Sequence, residues 1–135
     1  MVMILLGSLT GRQVPIETVS VSDASSFSDK SLGYFAATGI FTASTNNTEV
    51  HAIVIGRNET TNVLTIHRLS EGDIVEGDYT NGITNLKLGN GVDLDSSVIF
   101  DAADERTSNT SASRFAVKEI DVPSTGKLRC TWHTA

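Results

Sequence analysis

The side chains able to do chemistry in this chain are few: three histidines, one cysteine and a scatter of carboxylates. His51 and His67 sit on two consecutive strand patterns, and histidines on paired strands can hold a transition metal. The hairpin that joins them pairs Ile55 with Leu64 and Ile53 with Ile66 if apolar residues are to share a face. His51 then lies opposite Arg68 on the face of Ile53, His67 points to the other face, and no transition metal is expected. Cys130 and His133 stand three apart in an extended segment, which sends them to opposite faces and makes a thiolate–imidazole pair geometrically poor.

Asp93 and Asp95 are two apart and project from one face of an extended segment, with Asp101, Asp104 and Glu105 close behind. Such an oxygen-rich loop is a candidate for Ca²⁺, although the glycine and closing glutamate of an EF-hand are missing. The same carboxylates as an acid–base pair would need a walled cleft, and no such wall is legible. Nucleophile-elbow, phosphate-loop and dinucleotide patterns are absent from the sequence. The chain therefore calls for no catalytic residue and no cofactor. The asparagine acceptor patterns at Asn46, Asn58 and Asn109 follow from a composition rich in Asn, Ser and Thr. Tyr34, Phe35 and Phe41 are assigned to the core, which leaves no cluster of outward rings for a sugar to stack on.

The elements that would carry these residues are strands. The pattern predicts strands over Val2–Leu6, Val14–Val21, Tyr34–Ala43, Val50–Gly56, Val63–Leu69, Ile74–Tyr79, Ile83–Leu88, Ser97–Phe100, Phe115–Val122 and Lys127–Trp132. Turn-forming residues separate them, as in Asn58-Glu59-Thr60-Thr61, Glu71-Gly72-Asp73 and Gly89-Asn90-Gly91. Ser22–Ser31 reads as a polar loop, and Asp101–Arg106 as one helical turn leading into a second loop. Short strands at regular spacing predict an all-β fold with little or no helix: a single antiparallel β-sandwich or small barrel spanning residues 1–135. The Val50–Leu69 hairpin, apolar on both faces, belongs in its interior.

Composition narrows the role. The 135 residues carry a formal net charge of −6, with 39% hydrophobic and only 19% charged residues. The ten Lys and Arg are scattered, so nucleic acid is not an expected partner. A lone cysteine makes no intramolecular disulfide. The segment Met1–Leu6 lacks a basic start and is shorter than a signal-peptide core, and no apolar run approaches membrane-spanning length. Its apolar residues Val2, Met3, Ile4, Leu5 and Leu6 are instead candidates for an oligomer contact, either as an edge strand of their own sheet or by addition to a neighbour's sheet.

One resemblance follows from the run Val50-His51-Ala52-Ile53-Val54-Ile55-Gly56, a polar turn, Asn62-Val63-Leu64-Thr65-Ile66, and then Glu71-Gly72-Asp73-Ile74-Val75-Glu76-Gly77. This run, about a quarter of the chain, resembles the small all-β virion proteins of tailed bacteriophages, of the decoration, cement or fibre-base kind. The resemblance implies a non-enzymatic homo-oligomer located in the virion, with the major capsid protein or another virion protein as partner. It assigns no role to individual residues. The alternative from a different class is a β-sandwich binding module for a glycan or protein, such as a tail or receptor-binding domain.

Overall fold

A computed structural model describes residues 3–8, 16–46, 48–80, 86–106, 112–122 and 127–134. Among them run eleven strands: β1 (Ile4–Ser8), β2 (Ile16–Ser20), β3 (Leu32–Phe35), β4 (Phe41–Ala43), β5 (Ala52–Asn58), β6 (Val63–Arg68), β7 (Asp73–Thr80), β8 (Gly91–Ser96), β9 (Ile99–Arg106), β10 (Phe115–Val122) and β11 (Lys127–Trp132). Among the described residues the helical content is one 3₁₀ turn, Ala24–Ser26, capped by the Asp23 carboxylate, which accepts from Ser25 N–H. The all-β expectation holds, as a closed five-stranded barrel plus a separate five-stranded sheet; one pair, β7–β9, is parallel where the sequence pattern predicts an antiparallel fold, because five strands cannot close with every neighbour antiparallel.

The barrel runs β7–β11–β10–β8–β9 and closes back onto β7. Alternation along these strands turns one residue in two inward, and the inward residues meet as cross-strand partners. Val75 faces Cys130, Cys130 faces Val117, Phe115 faces both Trp132 and Val92, and Leu94 faces Phe100. All are buried, and the Phe100 and Phe115 rings meet edge to face at 5.3 Å between centroids. Outward positions carry charge pairs in the same register: Lys127 with Asp78 at 2.9 Å, and Arg129 with Glu76 at 2.9 Å and Glu119 at 3.5 Å.

Strand β7 has to share one edge between two neighbours. Antiparallel β1 occupies Asp73–Glu76, and β9 runs parallel beside Asp78–Thr80. At the junction sits Gly77, where a Cβ would overlap the Met3 sulfur and lie 3.1 Å from Phe100 Cε2. Met3 and Phe100 are both fully buried, so this space is filled by their side chains.

The second sheet has the order β2–β6–β5–β3–β4. One face, through Leu32 and Ile53, joins the barrel core; the other buries Ala52, Val54, Leu64 and Ile66 against Phe41 and against Ala24 and Phe27 of the Ser22–Ser31 segment. Backbone bonds from Leu32 N–H to Ser97 O and from Met3 N–H to Lys30 O, both 2.8 Å, tie sheet to barrel. The β5–β6 hairpin is interior, as its two apolar faces require.

Several details differ from the sequence reading. Observed pairing sets Ile53 opposite His67 and Val54 opposite Ile66, not Ile53 opposite Ile66. The Asn58 side chain accepts from Thr60 and Thr61 N–H, Asn62 takes φ 53°, and Asn58 pairs with Val63; a bulge between Val54 and Gly56 then resets the register. Because both faces are covered, this shift exposes nothing apolar. Tyr34–Ala43 is two strands, turned at Gly39 with φ 84°. Asp101–Arg106 is strand β9, not a helical turn, and the Asp93–Asp95 segment is strand β8, not a loop. Both changes come from barrel closure, which recruits polar segments that periodicity leaves unassigned. Of the Ile83–Leu88 strand, residues 83–85 lie outside the described residues, and Leu86–Leu88 are not strand.

Gly77→Ala should cost about 1–3 kcal/mol through overpacking against Met3. Met3→Ala should cost about 2–5 kcal/mol through the cavity it leaves. In the double variant the new methyl fills part of that cavity, so denaturant titration should show a loss smaller than the sum. Strict additivity would mean that Met3 does not occupy the space above Gly77.

Candidate functional site

Among the described residues, aromatic, cationic and hydrogen-bonding groups converge on open space in a cleft beside the ends of β3, β6 and β11. It has two adjoining chambers of about 280 and 250 Å³ that share His51 and Trp132. Glu49, Val50, Arg114 and Thr134 complete the first chamber; Phe35, Arg68 and Leu69 complete the second.

Backbone pairing fixes the imidazole. His51 N–H donates to Gly33 O and its carbonyl accepts from Leu69 N–H, each at 2.9 Å. His51 Nδ1 accepts from Phe35 N–H at 2.9 Å, so the ring proton sits on Nε2, 3.0 Å from the Glu49 carboxylate. The imidazole is thus held at Nδ1, with Glu49 beside Nε2, and serves as a wall. It lies nearly parallel to the Phe35 ring, 17° between planes, and the Arg68 guanidinium sits 4.3 Å from the Phe35 centroid while binding Glu17 at 2.7 Å.

Two groups in the cleft are uncommitted. Trp132 is only 7% exposed, and its buried Nε1–H has no acceptor among the described residues. Arg114 has no ion-pair partner among them, and its backbone takes φ 66°, the left-handed region that a residue with a long side chain seldom adopts. Its carbonyl accepts from His133 N–H at 2.9 Å, which binds it to the C-terminal tail. That tail is fastened by Glu71, which accepts from Thr134 N–H at 3.0 Å and contacts the His133 ring. The Thr134 N–H bond is the main cause of a lowered Glu71 pKa, with His133 assisting.

The residues singled out by sequence go elsewhere. His67 lines a separate groove of about 130 Å³ with Ile4, Leu5, Lys30, Ile53 and Ile55. It shares a face with Ile53, contrary to the expected register, and Ala52, not His51, is opposite Arg68. Asp93 is buried and accepts from Ser113 N–H at 3.1 Å, whereas Asp95 is exposed. Among the described residues, no three His, Cys, Asp or Glu side chains gather. Cys130 is fully buried in the barrel, which pushes its thiol pKa far up. In the first strand Met3 is buried and Leu5 half-buried, Ile4 and Leu6 face outward, and Val2 lies outside the described residues.

Sequence reasoning missed the cleft because its parts come from positions 35, 51, 68, 114 and 132, with no spacing to link them. Phe35, placed in the core by pattern, is only half-buried. No family model, curated protein or solved structure matches the chain. Among the described residues, no helix is long and apolar enough to cross a membrane.

Burial first, and then the Lys30 ammonium, hold the His67 pKa below its ordinary 6.5, with Asp73 opposing. The folded state therefore resists a proton that the unfolded chain accepts. Stability is complete above pH 6.5 and falls as pH drops from there toward the folded pKa. His67→Gln should flatten that part of a stability–pH profile measured by urea titration; an unchanged slope would assign it to another group.

Proposed function

We propose that this chain is a contact-making structural protein of a virion, of the capsid decoration or cement kind, and that it self-associates through β1. The observation that carries this reading is the outer side of that strand. β1 pairs with β7 alone among the described strands, and its outward Ile4 and Leu6 are 40% and 44% exposed. An edge strand with exposed apolar side chains is a candidate for strand addition, which joins backbone hydrogen bonding to apolar burial. Its inward residues are already used by its own barrel, so association adds a strand to a finished edge and does not require exchange.

Other features support a role in binding over one in chemistry. The histidines are committed or embedded, the thiol is buried, and the barrel is filled by side chains. Closed symmetric association would give a domain of this size the stability and multivalency that a surface protein of a shell needs. The partner in this reading is the major capsid protein or another virion protein. A second reading, a binding module for a glycan or protein, is supported by the aromatic cleft.

Deleting the first strand is a poor test, because Met3 and Leu5 hold the barrel. Ile4→Lys with Leu6→Lys alters only the outward side. The wild type should sediment as an oligomer or bind assembled capsids, and the double variant should keep its far-ultraviolet circular dichroism while losing that association. A wild type that stays monomeric and ignores capsids, or a variant that associates unchanged, would count against the proposal.

A further inference from the structure

We propose that the contact between β1 and the Lys30 corner of the second sheet is an acid-released clasp, with His67 as the group that senses the proton. How β1 is attached is independent of whether that strand also carries the association described above.

His67 lies in the groove where β1 meets the sheet. Ile4 and Leu5 form one wall of that groove, Ile53 and Ile55 another, and Lys30 lines it beside them. The imidazole Nδ1 is buried and has no hydrogen-bond partner among the described residues. A protonated ring is a donor on both nitrogens, so it would hold an N–H at this position without an acceptor. The surrounding charges do not compensate. Ile16, opposite His67 in β2, and the wall residues of β1 and β5 carry none; Lys30 brings a like charge and Asp73 the opposing one. Glu17 and Arg68, next along β2 and β6, project from the other face and pair with each other. The neutral imidazole is the form this site favours, in keeping with the lowered pKa that burial and then Lys30 impose.

To take a proton, His67 has to gain water, and the walls around it are not held equally. Ile53 is its own ladder partner, in a strand paired with β6 on one side and β3 on the other. Lys30 is fixed to that same strand: its N–H donates to Val54 O at 2.9 Å, and Val54 N–H donates to Ser31 O at 2.8 Å. β1 has one backbone bond to this side among the described residues, Met3 N–H to Lys30 O at 2.8 Å. Its register with β7 also shifts between Leu5 and Gly7. β1 is the wall that yields. It lies outside the closed ring of β7, β11, β10, β8 and β9, so its release leaves the ladders of that ring intact.

The released form binds a proton at the ordinary 6.5, and the clasped form binds it less readily. Opening is therefore favoured as pH falls below 6.5, by up to about tenfold per pH unit, until the clasped form titrates as well. Where β1 carries the association proposed above, acid weakens that association by the same route.

Hydrogen exchange of the intact protein, followed by NMR, reads the clasp directly. Protection is the exchange rate of an unstructured chain divided by the observed rate at the same pH. It is measured at Met3 N–H and, as a reference inside the ring, at Val117 N–H, which donates to Asn90 O at 2.8 Å. At about pH 7.5 Met3 should be protected, less so than Val117, and insensitive to low urea, as for an opening that exposes little surface. From pH 6.5 to about pH 5 its protection should fall, by up to about tenfold per pH unit. His67→Gln should abolish the fall, and Lys30→Gln, which removes the like charge, should make it smaller. Four results overturn the proposal. Met3 without protection at about pH 7.5 would mean that the clasp is not closed. Equal protection of Met3 and Val117 at every pH would mean that β1 opens only when the whole protein unfolds. A fall unaltered in either variant would assign the sensor to another group, and a fall that disappears on dilution would assign it to association.

Discussion

Five strands cannot close into a ring with every neighbour antiparallel, and this parity constraint organises the molecule. Direction alternates from β7 through β11, β10 and β8 to β9, so the closing pair β9–β7 has to be parallel, as it is. The consequences are local and specific. A parallel closing strand reaches β7 only over Asp78–Thr80, which leaves Asp73–Glu76 on the same edge for β1. The two neighbours approach each other at Gly77, the one residue of β7 without a side chain to obstruct Met3 and Phe100. Closure thus explains why the first strand is held on β7.

The cleft is a product of the same geometry. Sheet and barrel pack through Leu32, Ile53 and the barrel core, but β11 ends in Trp132 beside the ends of β3 and β6. There the two units diverge, and the space between them is edged by whatever residues terminate those strands. The irregular backbone at Arg114 and the fastened tail at Glu71 shape the opening. Rigid pairing of His51 on both backbone and side chain means that the walls are formed before any ligand arrives. The molecule so described presents two surfaces with different chemistry: a strand with exposed Ile4 and Leu6, and a cleft lined by polar and aromatic residues.

How much of this was legible in the sequence depends on the range of the interaction. Strand character was legible wherever alternation was strong, as in Val63–Arg68 and Phe115–Val122, because period-two patterning is a local property. Central placement of the Val50–Leu69 hairpin was legible from its two apolar faces. The register was not, because Asn62 in the left-handed region and a bulge near Ile55 override face matching when either face can be buried. Strand β8 was read as loop and the Asp101–Arg106 part of β9 as a helical turn because Asp93, Asp101 and Asp104 break the apolar period; closure of the ring, a non-local event, makes them strands. The cleft was invisible for the same reason: no local pattern announces that positions 35, 68, 114 and 132 will meet. What sequence did show was the scarcity of reactive groups and the apolar first strand, both properties of composition.

The most direct test of this account is the pairing of β7 with β9 in solution. Inter-strand nuclear Overhauser contacts between Asp78–Thr80 and Ile99–Asp101 should follow the parallel pattern, with Tyr79 beside Phe100 and slowly exchanging amides along the ladder. An antiparallel pattern, or β9 amides that exchange freely with no contact to β7, would show that the barrel is open. The shared edge at Gly77, and the placement of β1 derived from it, would then be contradicted.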